Sequence, residues 1–330
     1  MFTFWWRKYI VETDKRPLTI INTKGGTHFL MKKIFKKNWD LYVMLLLPML
    51  YIIIFKYVPI YGVQMAFRDY NIFKGMQGSP WVGLKYFRQF FSSSEFVKLI
   101  GNTLTISIYG LLAGLVFPII LALVLNYLNN LRFKKAVQTI TYAPYFISTT
   151  VMVSIILNIL AINSGPVNSF LQSIGLDQID FLADPNKFAH VYVWSGIWQY
   201  TGYNAIIYIA TLSGVDPTLH EAAVMDGANK FQRVWHIDLP SIKSTIIILL
   251  IMSMGGVLST GFEKIYLMQN NLNIRASEVI DTYVYKIGLA SPIANYSYPT
   301  AIGLFQSLIG MVLIMGTNVI AKKVGGESLW

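Results

Sequence analysis

Residues 216–240, DPTLHEAAVMDGANKFQRVWHIDLP, form the longest polar interruption between the last three apolar blocks of the sequence. Their order predicts a helix, a stop and a restart. Asp216 can accept hydrogen bonds from the free N–H groups of a first helical turn, and Pro217 suits the first helical position, where no N–H partner is needed. Glu221, Ala222 and Ala223 extend the helix. Gly227 supplies the stop, since helix ends commonly need a left-handed residue. A second short helical run covers 230–236, and Pro240 restarts a helix into the next apolar block. The expected product is a helix–turn–helix elbow with small residues at Ala222, Ala223, Gly227 and Ala228, which let another surface approach the backbone closely.

The surroundings of that elbow read as membrane. Of 330 residues, 54% are hydrophobic and only 13% are charged. A soluble domain has about a quarter charged residues, and the mean hydropathy here is +0.49. The sequence contains no cysteine, which excludes a disulfide framework, a thiolate metal site and a catalytic thiol. His28, His190, His220 and His236 are scattered, with no pair at ligand spacing, so a zinc site is not expected. The net charge of +11 raises the question of nucleic acid. The positives, however, lie at the edges of apolar blocks, where a membrane protein puts them, and no nucleic-acid partner is expected.

Taken in order, residues 1–39 form a basic tail with nine positives against Glu12 and Asp14. No signal-peptide pattern is present there, and the tail suits the surface of anionic lipid. An all-α membrane domain is expected over 40–323, with six spans at about 41–63, 100–127, 137–162, 189–212, 242–262 and 300–321. Bends are expected at Pro48 and Pro59 in the first, Pro118 in the second and Pro144 in the third. Gly255, Gly256 and Gly261 suggest close packing or bending in the fifth. A short tail, 324–330, closes the chain. With six spans both termini share one side. That side, with the loops at 128–136 and 213–241 and Lys243, holds 17 of the 27 Lys and Arg, against nine opposite and Lys56 inside a span. The positive-inside rule therefore puts both termini and the elbow in the cytoplasm.

Enzyme chemistry finds no foothold. There is no GxxxxGK[ST] phosphate loop, no paired carboxylates and no Ser/His/Asp set. Transport is the expected work, with energy supplied by another chain. A polar solute in transit needs replacement hydrogen bonds for the water it loses and apolar or aromatic faces for the rest of its surface. Trp194, Trp198, Gln199, Tyr200, Tyr203 and Asn204 in the fourth span, Asn158 in the third and Gln306 in the sixth are the pathway candidates, because polar residues inside spans mark pathways. Trp194 and Trp198 also fit an aromatic belt, and Asn204 and Gln306 also fit helix–helix hydrogen bonds. Glu263 reads as a rim charge or an ion-pair partner.

Glu221-Ala222-Ala223, three residues, Gly227, nine residues, then Ile237-Asp238-Leu239-Pro240 resembles the EAA loop of ABC-importer permeases. The resemblance extends to Ile197-Trp198-Gln199-Tyr200, to 208–217, and to Asn102-Thr103-Leu104. Residues 262–267 and 279–285 are similar to the subgroup handling complex oligosaccharides or polysaccharide fragments. The match covers roughly 40–323. It implies a type I ABC-importer permease fold in a bacterial cytoplasmic membrane, with no cofactor in this chain and ATP with Mg on a separate ATPase. The implied partners are a second, similar permease, two ATPase copies, an extracytoplasmic solute-binding protein and a carbohydrate substrate. The implied ATPase-coupling residues are Glu221, Ala222, Ala223, Asp226, Gly227, Ala228, Ile237, Leu239 and Pro240. A self-sufficient secondary transporter or channel would call for membrane-embedded acids or an inverted repeat, and neither is evident. An ABC permease for a non-sugar cargo such as a peptide is the other alternative.

Overall fold

The computed structural model describes residues 37–292, 295–325 and 328–329. The basic tail expected at 1–39 lies almost wholly outside the described residues, as does part of the 324–330 tail. Among the described residues the fold is all-helical, with one isolated antiparallel bridge between Arg68 and Trp81 and no strand. A helix satisfies its own backbone hydrogen bonds, which is what an apolar chain in hydrocarbon requires.

The chain divides into two units after Gly62. The first holds α1 (Trp39–Ile52), which has no buried residue and contains Pro48. A π-helical turn, Ile53–Tyr57, and a 3-10 stretch, Val58–Phe67, continue it. A proline ring clashes with the carbonyl four residues back. The widened turn therefore lies where Pro59 would otherwise press on Phe55, and the expected distortion is taken up as a change of helix type.

The second unit contains α2 (Lys85–Phe91), α3 (Ser94–Asn126), α4 (Leu131–Tyr142), α5 (Thr149–Ile159), α6 (Pro166–Ser173) and α7 (Pro185–Leu212). It continues with α8 (Pro217–Met225), α9 (Lys230–Arg233), α10 (Leu239–Met254), α11 (Phe262–Met268), α12 (Ile280–Gly288) and α13 (Ser297–Gly325). Four helices in the described chain are long and apolar enough to cross a membrane: Trp39–Phe67, Ser94–Asn126, Lys230–Met254 and Ser297–Lys323. α7, at 28 residues, has the length, but Gln199, Thr201, Asn204 and its tyrosines keep it less apolar.

Two expected spans differ in shape from their sequence reading. The third, read as one helix over 137–162, is broken by 102° between Leu131–Phe146 and Thr149–Ile159. Pro144 opens a 3-10 turn, Ile147 is extended, and the Ser148 hydroxyl accepts from Val151 N–H to start α5. The break frees the Ile147 carbonyl, and the buried Gln199 amide donates to it at 3.0 Å. The fifth, read over 242–262, ends at Met254. Gly255 and Gly256 lie in the turn that follows, and Gly261 is left-handed, so the glycines end the helix instead of bending it.

α7 is the centre of the second unit, packed along α3 and against α4 and α10. Ala205, Tyr208 and Leu212 of α7 meet Ala122 of α3 and Ile242 of α10 in one core cluster. A second cluster joins Phe188 of α7 to Ile106, Met152, Ile156, Ile265 and Met268. The family-like Asn102-Thr103 pair has a structural role in this unit. The Asn102 amide donates to the carbonyls of Arg275 and Glu278, each at 2.9 Å, and the Thr103 hydroxyl accepts from Ile280 N–H at 3.1 Å. Glu278 pairs with Lys98 and Lys286, each at 3.0 Å, and so fastens the start of α12 to α3.

The approach of α7 to α4 depends on Gly202. A Cβ there would lie 2.0 Å from the Thr141 carbonyl oxygen, which belongs to backbone and has little freedom to move. Gly202→Ala is expected to cost about 1–3 kcal/mol by overpacking. Gly101→Ala, where a Cβ meets nothing within 4 Å, is the control. Thermal midpoints in detergent should fall for the first variant only; equal midpoints would contradict the close approach.

Candidate functional site

The elbow is built by its own short-range hydrogen bonds. The Asp216 carboxylate accepts from Thr218 N–H at 2.9 Å and caps α8, with Pro217 at the first turn. That same N–H holds the Asp216 carboxyl below the usual carboxylate range. At the other end of α8, Ala228 N–H reaches the Ala223 carbonyl at 2.8 Å and Gly227 N–H reaches the Val224 carbonyl at 3.0 Å. This is a Schellman stop, and it needs the left-handed φ of +81° that Gly227 adopts. Asn229 and Gln232 then exchange side-chain to backbone bonds of 2.8 and 2.9 Å, a capping box that starts α9 one residue later. Stop and start together fix the turn angle without help from the spans.

The elbow's surface is unusually apolar for a polar stretch of sequence. No residue of α8 is buried. Leu219, Val224, Met225, Phe231 and Trp235 are all exposed, Met225 to 87%. Glu221, Ala222, Asp226, Gly227 and Pro240 are exposed as well, while Ala223, Ala228, Ile237 and Leu239 are partly covered. The concave side of the turn, lined by Ala223, Asp226, Gly227, Ala228, Arg233 and Ile237, encloses about 310 Å³. Exposed apolar residues of this kind mark interaction surfaces.

Asp238 ties the elbow to the spans. It is fully buried, in the π-helical turn Val234–Asp238 that joins α9 to α10. The Tyr127 hydroxyl donates to its Oδ2 at 2.7 Å, and the Asn126 amide donates to its Oδ1 at 3.4 Å. His220 Nε2, from α8, stands 3.4 Å from the same Oδ1. Arg233 lies over the Tyr127 ring at 5.4 Å. One carboxyl therefore links the elbow helix, the start of α10 and the end of α3. Sequence reading passed over Asp238, Tyr127 and His220, because the partners on α3 are more than 110 residues away in the chain.

Inside the bundle, two adjoining cavities of about 440 and 580 Å³ share Gly110, Gly114, Tyr192, Asn204 and Gly261. Of the pathway candidates, Asn204 alone lines both. Trp194 and Trp198 line a separate apolar cavity of about 680 Å³ beside α5. Tyr203 stacks on Tyr145 with centroids 3.6 Å apart. Gln199 serves the Ile147 carbonyl, and Asn158 donates to Ser154 O of its own helix at 2.7 Å. The Gln306 amide donates to Leu258 O at 2.6 Å and to Asp281 Oδ1 at 2.8 Å. The candidates thus fall in several places, and only Tyr200 and Asn204 reach the central space.

The larger central cavity also receives Tyr200, Glu263 and Lys264. Lys264 is 7% exposed. Its ammonium donates to the Tyr192 carbonyl at 3.2 Å and sits 4.9 Å from the Tyr192 ring centroid. Burial pushes it down to about 8. In the sequence Lys264 is one of nine outer-side positives; only the fold of α11 against α7 turns it inward.

These features agree with what the chain resembles. The family described as binding-protein-dependent transport system inner membrane component matches residues 114–325. Protein LplB of Bacillus subtilis (strain 168) is 42% identical over 316 residues, covering 96% of this chain and 98% of that protein. The polygalacturonan/rhamnogalacturonan transport system permease protein YteP of the same organism is 41% identical over 311 residues, covering 94% and 96%. A chain in the crystal structure of a bacterial ABC transporter involved in the import of the acidic polysaccharide alginate matches with a TM-score of 0.82 at 37% identity, covering 89% of this chain and 99% of that one. A bacterial alginate ABC transporter in complex with an alginate pentasaccharide-bound periplasmic protein gives the same TM-score of 0.82 at 36% identity, covering 90% and 99%. A chain whose described residues are all helical, with a locally built elbow and a central cavity, and which is so matched over nearly its whole length, belongs to the family of binding-protein-dependent transport system inner membrane components.

Proposed function

We propose that this chain is one of two permease subunits of an ATP-driven importer in the bacterial cytoplasmic membrane. In this reading the α4–α5 pair and α7 complete a set of six spans, and both termini face the cytoplasm. The cargo is an oligosaccharide or polysaccharide fragment delivered by an extracytoplasmic solute-binding protein. Relatives named for polygalacturonan/rhamnogalacturonan and for alginate support a carbohydrate cargo. ATP, with Mg, binds two ATPase copies below the membrane. No residue of this chain takes a catalytic role.

The observation that carries the reading is the pairing of an exposed, self-supporting elbow with a buried anchor. Leu219, Val224 and Met225 on α8 offer apolar surface to a docking groove, and Glu221 offers a charge beside the small Ala222 and Ala223. Closure of the ATPase pair would move α8 as a rigid piece, since its caps and Schellman stop do not depend on the bundle. His220 and Asp238 would carry that movement to α10, and Tyr127 and Asn126 to α3. Both helices line the central cavity, so a shift at the elbow alters access to it.

Two variants test the linkage. Gly227→Val forces a β-branched residue toward a left-handed φ, at a cost of about 1–2 kcal/mol, and should re-aim α9 against α8. Cargo uptake by the assembled importer is expected to fall roughly tenfold while ATP hydrolysis continues, since about 1.4 kcal/mol is a factor of ten. Unchanged uptake would count against the elbow as the coupling element. Tyr127→Phe removes one donor from the buried Asp238 carboxyl and should destabilise the assembly by about 1–3 kcal/mol. Calorimetry of the purified complex checks this, and a midpoint equal to that of the parent would remove Asp238 from the linkage.

A further inference from the structure

We infer that Lys264 and the cavity it lines form a subsite for the carboxylate of an acidic sugar unit. The inference rests on the carbohydrate-permease reading above and adds the chemical class of the cargo and the residue that selects it.

Lys264 differs from the other lysines that make ion pairs. Lys85, Lys98, Lys187 and Lys286 each have a carboxylate partner. Among the described residues Lys264 has none, although it is the most buried of the five. Its single acceptor is the Tyr192 carbonyl. An ammonium has three N–H donors, so two are left for a ligand. A buried charge without a counter-charge is costly, and the depressed proton affinity of Lys264 is the expression of that cost. An anion entering the cavity would supply what the protein does not.

The surroundings suit a sugar bearing that anion. The cavity, about 580 Å³, falls within the range of ligand sites. Asn204 and Tyr200 line it and offer amide and hydroxyl groups to sugar hydroxyls. Tyr192 and Phe262 bring aromatic rings to the same space. Glu263 lines the cavity too, from the exposed side of α11, and does not neutralise Lys264. Its charge opposes an anion and so limits how firmly one is held, which suits a place that cargo must leave. Asp281 is engaged by Thr260 N–H and the Gln306 amide.

The test uses the complete importer in proteoliposomes with its solute-binding protein. Uptake of oligogalacturonate, oligomannuronate and oligoguluronate is compared with that of neutral oligosaccharides, for the parent, Lys264→Gln and Lys264→Arg. Binding-protein-stimulated ATP hydrolysis and thermal midpoint are read alongside. The parent is expected to import at least one uronate oligomer. Lys264→Gln should raise its half-saturating concentration roughly tenfold, the scale of a lost charge-assisted hydrogen bond. Lys264→Arg should keep most of the uptake, and both variants should keep a thermal midpoint close to that of the parent. Equal uronate uptake by Lys264→Gln and parent would overturn the subsite. So would import of neutral oligosaccharides only, which leaves the importer reading standing. Equal loss of uptake and midpoint in both variants would make Lys264 a structural clamp on Tyr192 and also overturn it. If the parent hydrolyses ATP but carries none of these sugars, the carbohydrate reading fails first and the subsite falls with it.

Discussion

The carboxyl of Asp238 is the contact on which the working parts of this chain depend. A buried carboxyl with no partners would destabilise any helix that carried it. Here it is met by groups from α8 and from the end of α3, while its own backbone starts α10. Each element therefore loses something if it moves without the others. The exposed half of the elbow needs no such help, because a cap, a Schellman stop and a capping box hold it locally. A self-held lever on a buried pivot is the arrangement that the proposed coupling requires.

The same rule, that a buried polar group finds a partner, places the rest of the bundle. Pro144 breaks the third span, and the carbonyl it frees is answered by Gln199 from α7. Gln306 answers Leu258 O in the turn after α10 and steadies Asp281. Two residues read as pathway candidates are thus bound into the frame around the central cavity, and Asn204 is left facing it. The polarity that keeps α7 from being an ordinary apolar span serves both ends.

Much of this was legible in the sequence where the physics is local. Asp216, Pro217 and Gly227 announce their helix ends within a few residues, and they sit in the structure as their chemistry demands. Apolar blocks gave the places of the long helices, because span length depends only on consecutive residues. The 102° break was not legible, since Pro144 alone does not say whether a helix bends or stops; Gln199, 52 residues on, makes stopping tolerable. Lys264 and Asp238 were hidden for a related reason. A charge beside an apolar block looks the same whether it faces water or turns into a cavity, and only the packing of α11 and α10 decides.

The proposed coupling requires the elbow to lie on the cytoplasmic side, against a nucleotide-hydrolysing partner. The chain has no cysteine, so Met225→Cys places a single thiol at the most exposed of the large apolar positions of α8. Labelling by a membrane-impermeant maleimide is compared in intact cells and in inverted vesicles, with the ATPase bound or stripped. The account predicts no labelling from outside, labelling in stripped inverted vesicles, and protection when the ATPase is restored. Labelling from outside intact cells, or labelling indifferent to the ATPase, would contradict it.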